Sequence, residues 1–348
     1  MPCNIKMLKA LNGDCIFISY GEKYEKNILI DGGIGIECYN QLKRLIEKLK
    51  IESKKLDLVI LTHIDSDHIT GMLKMFLVKK FDFGLIDKMW FNYGEKLHKV
   101  LGISNCEELN NDIYLHDEKN QISVGQAKKL ELVLQQNGID YTTVKKNEIY
   151  KSSDAIITLL SPRLEILKEL NEMSEKESLK EVKIAAINDY SYSLKDLNNK
   201  EFEENVSLEN KSSIAFIFEW NGMKALFLGD AAASEIVDSL LQKGYSKENP
   251  LDIVCCKISH HASKHNTSSE LIQMLKCKNY LISTNKTASG RPSKECLSRI
   301  ICNTKEPINF LCNYNININD IFTNEEIEKY KMHFLLLDEK GINLEELE

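Results

Sequence analysis

The sequence predicts an α/β protein, a layered sandwich of sheets and helices. Two observations carry this. Strand-like segments pair early as a hairpin, and from residue 57 onward apolar runs of strand length alternate with helically spaced segments. The chain has 348 residues, 43% hydrophobic and 28% charged, ample for a substantial core.

In order, residues 4–10 and 14–20 alternate toward β-formers, with Asn12-Gly13 as turn chemistry between them. Residues 27–30 form a buried strand that stops at Asp31-Gly32-Gly33, and 38–50 have helical spacing. A second buried strand is expected at 57–62, a helix at 68–80, a short strand at 88–91 and a longer helix at 122–138. Strands resume at 155–160, 213–219 and 223–228. A helix at 231–243, a strand at 252–258, a helix at 267–277, a strand at 279–284 and a helix at 293–303 follow. The tail adds strands near 308–312 and 333–338. Residues 164–211 are rich in Glu, Lys, Asn and Ser and break the pattern; they read as an insertion, part helix and part loop, of the kind that forms a lid. The expected division is a domain over 1–312 and a C-terminal extension over 313–348.

A net charge of −7 argues against a protein that coats nucleic acid through a basic face. The ten cysteines are scattered without a C-x-x-C pair, which excludes a zinc ribbon and fits reduced thiols in a cytoplasmic protein. No stretch approaches the roughly 20 apolar residues of a membrane helix, and the N-terminus has no secretion-signal core.

Chemistry concentrates at the ends of apolar runs. In LTHIDSDH, residues 61–68, a buried strand gives way to His63, Asp65, Asp67 and His68. Extended spacing puts His63 and Asp65 on one side of the chain, and Asp67 and His68 open the next helix. Imidazole and carboxylate together suit zinc, manganese or iron. The plainer reading is a polar strand-to-helix turn with Asp as N-cap. FLGD, residues 227–230, ends another strand on Asp230, again readable as a cap for the helix that follows. KISHHASKH, residues 257–265, carries His260 and His261; adjacent histidines point different ways, so one would bind metal and the other orient it or meet substrate. Asp31 in ILIDGG is a candidate for orienting a ligand. His98, His116 and His333 read as surface or packing residues. Lys264, Lys286, Arg291 and Lys294 read either as solvated charge or as a clamp for phosphate oxygens.

Taken together these pieces resemble metallo-β-lactamase-fold hydrolases, and more closely the hydrolase domain of ComEC-type DNA-uptake proteins. That branch similarly shows H-x-D-x-D-H, N-x-x-S before a strand, a strand ending in GD, and K-x-x-H-H-G-S. Here these are His63-Asp65-Asp67-His68, Asn210 with Ser213, Gly229-Asp230, and Lys257 through Ser263. The resemblance spans residues 5–302 and implies a four-layered αβ/βα sandwich with one or two zinc or manganese ions at one edge. It implies that His63 and Asp65 serve one metal position, that Asp67, His68 and His261 serve the other, and that Asp230 bridges them. Asp65, Asp67 and His260 become the catalytic candidates; Asp31, Ser161, Asn210, Ser213 and Lys264 would support them or meet substrate. Two departures stand out. Ala262 replaces a glycine, and Ser161 in LLSPR sits where a ligating His is expected. The implied activity is phosphodiester hydrolysis on a phosphate-containing substrate such as an oligonucleotide or cyclic nucleotide. The alternatives are hydrolysis of esters, lactones or amides on the same site, and a non-catalytic nucleotide- or partner-binding module.

Overall fold

The computed structural model describes residues 2–79, 81–103, 119–152, 154–175, 188–287, 290–304 and 306–348. Two large sheets face each other. The first runs β17 (Ile342–Asn343), β1 (Asn4–Met7), β2 (Ile16–Tyr20), β3 (Lys26–Ile30), β4 (Leu58–Leu61), β5 (Met89–Phe91) and β6 (Tyr141–Thr142). The second runs β16 (Met332–Leu336), β15 (Ile308–Cys312), β14 (Asn279–Ile282), β12 (Cys255–Lys257), β10 (Met223–Phe227), β9 (Ala215–Trp220), β8 (Ala155–Ser161) and β7 (Ile149–Lys151). A two-stranded pair, β11 (Leu251–Asp252) with β13 (Leu275–Lys276), stands apart.

The period-two alternation of side chains sorts the strands into layers. On β2 and β3, Ile16, Ile18, Ile28 and Ile30 point inward to meet Phe216, Phe218, Ala225 and Phe227 of the second sheet. The intervening Phe17 and Leu29 point outward under α1 (Ile36–Ile51), α2 (Ser66–Phe76) and α4 (Lys119–Gln136). On the other side Leu226, Tyr280, Ile282 and Phe310 pack under helices. These include α8 (Ala233–Gln242), α9 (Ser269–Gln273) and α10 (Lys294–Asn303). Three apolar cores between helix, sheet, sheet and helix make the four-layered αβ/βα sandwich.

The remaining helices are peripheral. α3 (Gly94–Leu101) meets α5 (Leu164–Glu175) where His98 Nε2 lies 2.7 Å from Asn171 Oδ1. α6 (Leu194–Asn198) and α11 (Asn324–Tyr330) add Leu194 and Ile327 to the core over the second sheet, and α7 (Leu208–Lys211) precedes β9. His333 is exposed on β16, and His116 lies outside the described residues.

Several expected elements differ. The strand expected at 252–258 splits, because Leu251 and Asp252 leave the main sheet to pair with Leu275 and Lys276. That pairing also cuts the helix expected at 267–277 to five residues. The segment 313–348, expected as an extension, supplies β16 beside β15 and β17 beside β1. Its Leu344 and Leu347 fill the core between the sheets. Of the expected insertion, 176–187 lie outside the described residues; its described parts form α5, α6 and α7.

Topology places the site. β3, β4 and β5 are parallel, as are β10, β12 and β14. Loops leaving the carboxyl ends of parallel strands therefore gather at one edge. The two edges are joined there: Ile214 N donates to Thr62 O at 2.9 Å, and Ser283 Oγ donates to Gly13 O at 2.7 Å.

Candidate metal centre

The first half of the centre grows from β3 and β4. Asp31 follows β3 in a left-handed conformation (φ 57°) and is fully buried. Its carboxylate accepts from Thr62 N at 2.7 Å and Thr62 Oγ1 at 2.8 Å, and lies 2.7 Å from His68 Nδ1. Because Thr62 spends its hydroxyl proton on Asp31, its oxygen accepts from His63 Nδ1 at 3.0 Å. Both histidines are thus fixed with Nδ1 protonated and a bare Nε2 lone pair facing the cleft. α2 begins at once and crosses the Asp31-Gly32-Gly33 turn closely. Gly32 N donates to His68 O and Gly71 N to Gly33 O. A Cβ on Gly71 would come within 2.0 Å of Gly32 O, so only glycine allows this approach. Asp65 is the N-cap residue of α2, yet its side chain makes no capping bond; it and Asp67 are 31% exposed toward the cleft.

The second half comes from β10 and β12. Asp230 follows Gly229 and is held by Ser213 Oγ, which accepts from its N–H at 3.1 Å. It caps nothing: the N-cap residue of α8 is Ala232. After β12 three consecutive residues are left-handed, His260 (φ 49°), His261 (φ 57°) and Ala262 (φ 65°). Such backbone costs of order 1–2 kcal/mol per non-glycine residue. This is the physical reason a glycine suits position 262, and the turn aims both imidazoles at the same edge. His261 Nδ1 donates to Ser283 O at 2.9 Å and His260 Nδ1 to Asn266 Oδ1 at 2.9 Å, again leaving Nε2 inward.

Four Nε2 atoms converge on the Asp230 carboxylate. Oδ2 lies 3.5 Å from His68, 3.6 Å from His260 and 3.8 Å from His63; Oδ1 lies 3.8 Å from His261. Asp65 Oδ2 is 3.7 Å from His63 Nε2, and Asp67 Oδ2 is 3.8 Å from His261 Nε2. Two ligand atoms about 2.1 Å from one tetrahedral ion stand roughly 3.4 Å apart, so these spacings suit shared coordination. Among the described residues three groupings fall within 4.8 Å, His63–His68–Asp230, Asp67–His68–His261 and Asp14–Asp31–His68, with His68 common to all. The Nε2 atoms of His63, His68 and His261 and Oδ1 of Asp230 are buried without a hydrogen-bond partner. Orphaned buried polar atoms are costly, and a cation at their focus satisfies them all. Burial favours the neutral form of Asp230, but the surrounding histidines outweigh it and hold its carboxyl well below the usual range. Burial pushes His261 well below its ordinary pKa, and His260 down to about 4; burial acts the same way on His68, but the Asp230 and Asp31 carboxylates outweigh it and hold His68 well above, so a bound cation would displace a proton there. Neutral imidazole is the ligating form.

The other expected residues occupy varied places. Ser161 turns away from the cleft: its hydroxyl donates to Ser213 O at 2.7 Å and accepts from Ala215 N at 3.1 Å, bridging β8 and β9 at a bulge. Asn210 Nδ2 stands 3.4 Å from His260 Nδ1. Lys264 lines a separate cavity of about 300 Å³ with Lys200, Glu201, Glu203, His265 and Glu295. Lys286 is paired with Asp320 and Lys294 is buried against Glu326, both consistent with structural roles.

Sequence reasoning passed over Asp14, Thr62 and Asn266. Asp14 follows the Asn12-Gly13 turn, and its carboxylate takes Lys257 Nζ at 2.7 Å, both groups fully buried beneath His261. The only trace in the sequence was Lys257 itself, a cation inside an apolar strand, which demands a buried counter-charge. Lys257→Met should therefore cost about 3–5 kcal/mol, because Asp14 is left charged and alone. Urea unfolding of the metal-free protein checks this, and an unchanged midpoint would refute it. Asp14→Asn in the same chain should recover part of the loss.

Residues 8–82, which carry β2 to α2 and the His63–His68 run, match the model of the metallo-β-lactamase superfamily. Among solved structures the chain is similar to the metallo-β-lactamase fold protein YhfI from Bacillus subtilis, at 10% identity over 98% of each chain, TM-score 0.40. It is also similar to Zn(2+)-bound PqqB from Methylobacterium extorquens, at 11% identity over 94% of this chain and 85% of that one, TM-score 0.42. CmlA, a diiron β-hydroxylase from Streptomyces venezuelae, is similar at 10% identity over 96% of this chain and 53% of that one, TM-score 0.40. No curated protein sequence matches the chain. The layers and topology are those of the metallo-β-lactamase fold, and the candidate His and Asp ligands lie at its strand-end edge.

Proposed function

We propose that the protein is a metal-dependent phosphodiesterase. The observation that carries this is the cluster of carboxylates interleaved with bare imidazole nitrogens: Asp65, Asp67 and Asp230 among His63, His68 and His261. Replacing imidazole by carboxylate hardens a site, so manganese suits it beside zinc, and hard ions favour phosphate oxygens. His63, Asp65 and Asp230 would hold one ion, and Asp67, His68, His261 and Asp230 another. When bound, the metal supplies a Lewis acid and a water acidic enough to attack near neutral pH. The chain's own residues do the rest. Asp31, Thr62 and Ser283 hold the imidazoles in one tautomer, so no reorganisation is needed during reaction. Asp65 and Asp67, partly exposed at the cleft, would take the proton of the attacking water. The H-x-D-x-D-H spacing shared with the ComEC-type hydrolases supports the same chemistry, and the net charge of −7 favours a short oligonucleotide or cyclic nucleotide over long duplex DNA.

The test is a substrate panel with manganese and with zinc: bis-p-nitrophenyl phosphate, single-stranded DNA, RNA, cyclic nucleotides, a nitrophenyl ester and a lactam. Metal-dependent turnover of phosphodiesters is expected. Turnover of the ester or lactam alone would overturn the reading.

A further inference from the structure

The surroundings of His260 differ from those of the other three histidines. Its Nε2 is not bare: Arg291 Nη2 lies 2.5 Å away. A guanidinium has only donors, so Nε2 is the acceptor. A chain of contacts follows, from Arg291 to His260, from His260 Nδ1 to Asn266 Oδ1, and from Asn266 Nδ2 to the Asp230 carbonyl at 2.9 Å. The guanidinium is thereby mounted one imidazole away from the bridging carboxylate.

The segment bearing Arg291 is fastened on both sides. Ser293 N donates to Ala262 O at 2.9 Å, within the left-handed histidine turn. Tyr190 Oη donates to Pro292 O at 3.0 Å, and Asp189 accepts from Ser293 Oγ, Lys294 N and Glu295 N, each at 2.8 Å. The insertion thus braces this arginine. Four neighbouring cations are matched with carboxylates: Lys257 with Asp14, Lys294 with Glu326, Lys286 with Asp320, Arg299 with Glu295. Half-buried Arg291 has, among the described residues, only the neutral His260. A cation removed from water without a counter-charge is unfavourable unless an anion arrives to complete it. Its remaining N–H groups form the fork that matches an oxyanion.

We propose that Arg291 is the residue that binds a non-bridging oxygen of the substrate's phosphate, with His260 as its mount. The phosphorus chemistry rests on the phosphodiesterase reading; the anion site itself does not. The metal-loaded full chain is titrated calorimetrically with inorganic phosphate, as wild type, Arg291→Lys and Arg291→Gln, with metal content measured on each. Glutamine keeps a neutral donor for His260 and removes the charge. The expected result is at least about tenfold weaker phosphate binding for Arg291→Gln, a smaller loss for Arg291→Lys, and unchanged metal content. Three results would overturn the proposal: no phosphate binding by the wild type, wild-type affinity in Arg291→Gln, or loss of metal from Arg291→Gln, which would make the arginine a support of the metal centre. Arg291-dependent phosphate binding without turnover of any phosphodiester would instead discard the phosphodiesterase reading and leave the anion site standing.

Discussion

His261→Ala is expected to strip the protein of its transition metal and of turnover together. The imidazole is fully buried, its Nδ1 is committed to Ser283, and its Nε2 sits within 3.8 Å of both Asp67 and Asp230. Losing a group that merely orients a ligand costs roughly 10–100-fold in metal affinity, so losing the ligand itself should exceed about 100-fold. The buried void adds a stability loss of about 2–5 kcal/mol. Asp67→Ala separates the two effects, because its side chain is 31% exposed: metal should go while the fold stays. Elemental analysis after mild dialysis, beside thermal unfolding with and without chelator, reads both. Chelator should lower the wild-type melting temperature, since an ion that binds only the folded chain stabilises it. Wild-type metal content in both variants would refute this ligand set.

Asp31→Asn should do nearly as much damage without touching any group that faces the cleft. Asp31 is acceptor to Thr62 N, Thr62 Oγ1 and His68 Nδ1 at once. An amide offers one oxygen and turns an NH2 on a neighbouring donor, so either His68 or Thr62 loses its anchor. Metal affinity, measured against a competing chelator, should fall about 10–100-fold. The metal-free protein should lose about 1–3 kcal/mol, the cost of an unsatisfied buried group. Ser161→Ala is the contrast. It breaks one bridge between β8 and β9, about 1 kcal/mol, and should leave metal content alone. If Ser161→Ala lost metal while Asp31→Asn kept it, the roles assigned to the two residues would be reversed.

The strand-ending residues were legible because their chemistry is local. Apolar runs that halt on Asp31, His63, Asp230 and His260 violate ordinary strand and turn composition, and no distant information is needed to see it. Capping offered a competing local account for Asp65 and Asp230. Tertiary geometry excludes it, since neither side chain bonds to a helix N-terminus. Ser161 looked like a weakened ligand from its place in the chain; its hydroxyl is consumed by the sheet instead. The four cations following the histidines could not be ranked from local composition, because pairing partners such as Asp320 and Glu326 arrive from the chain's last segment. Of these four, Arg291 alone reaches a histidine of the centre among the described residues.

By itself the sequence determined the layered α/β class, the order of most elements and the residue types able to hold a metal. These depend on periodicity and composition within a few residues. The tertiary structure decided which nitrogen of each histidine faces inward, because that follows from how Asp31 and Ser283 on neighbouring strands, and Thr62 and Asn266 nearer in the chain, are packed against the rings. It also paired Asp14 with Lys257 and closed the two sheets with residues 332–347, through contacts such as Asn4 with Asn343, 339 residues apart. Such pairings are set by which strand ends share an edge, and that is fixed only when the whole chain packs.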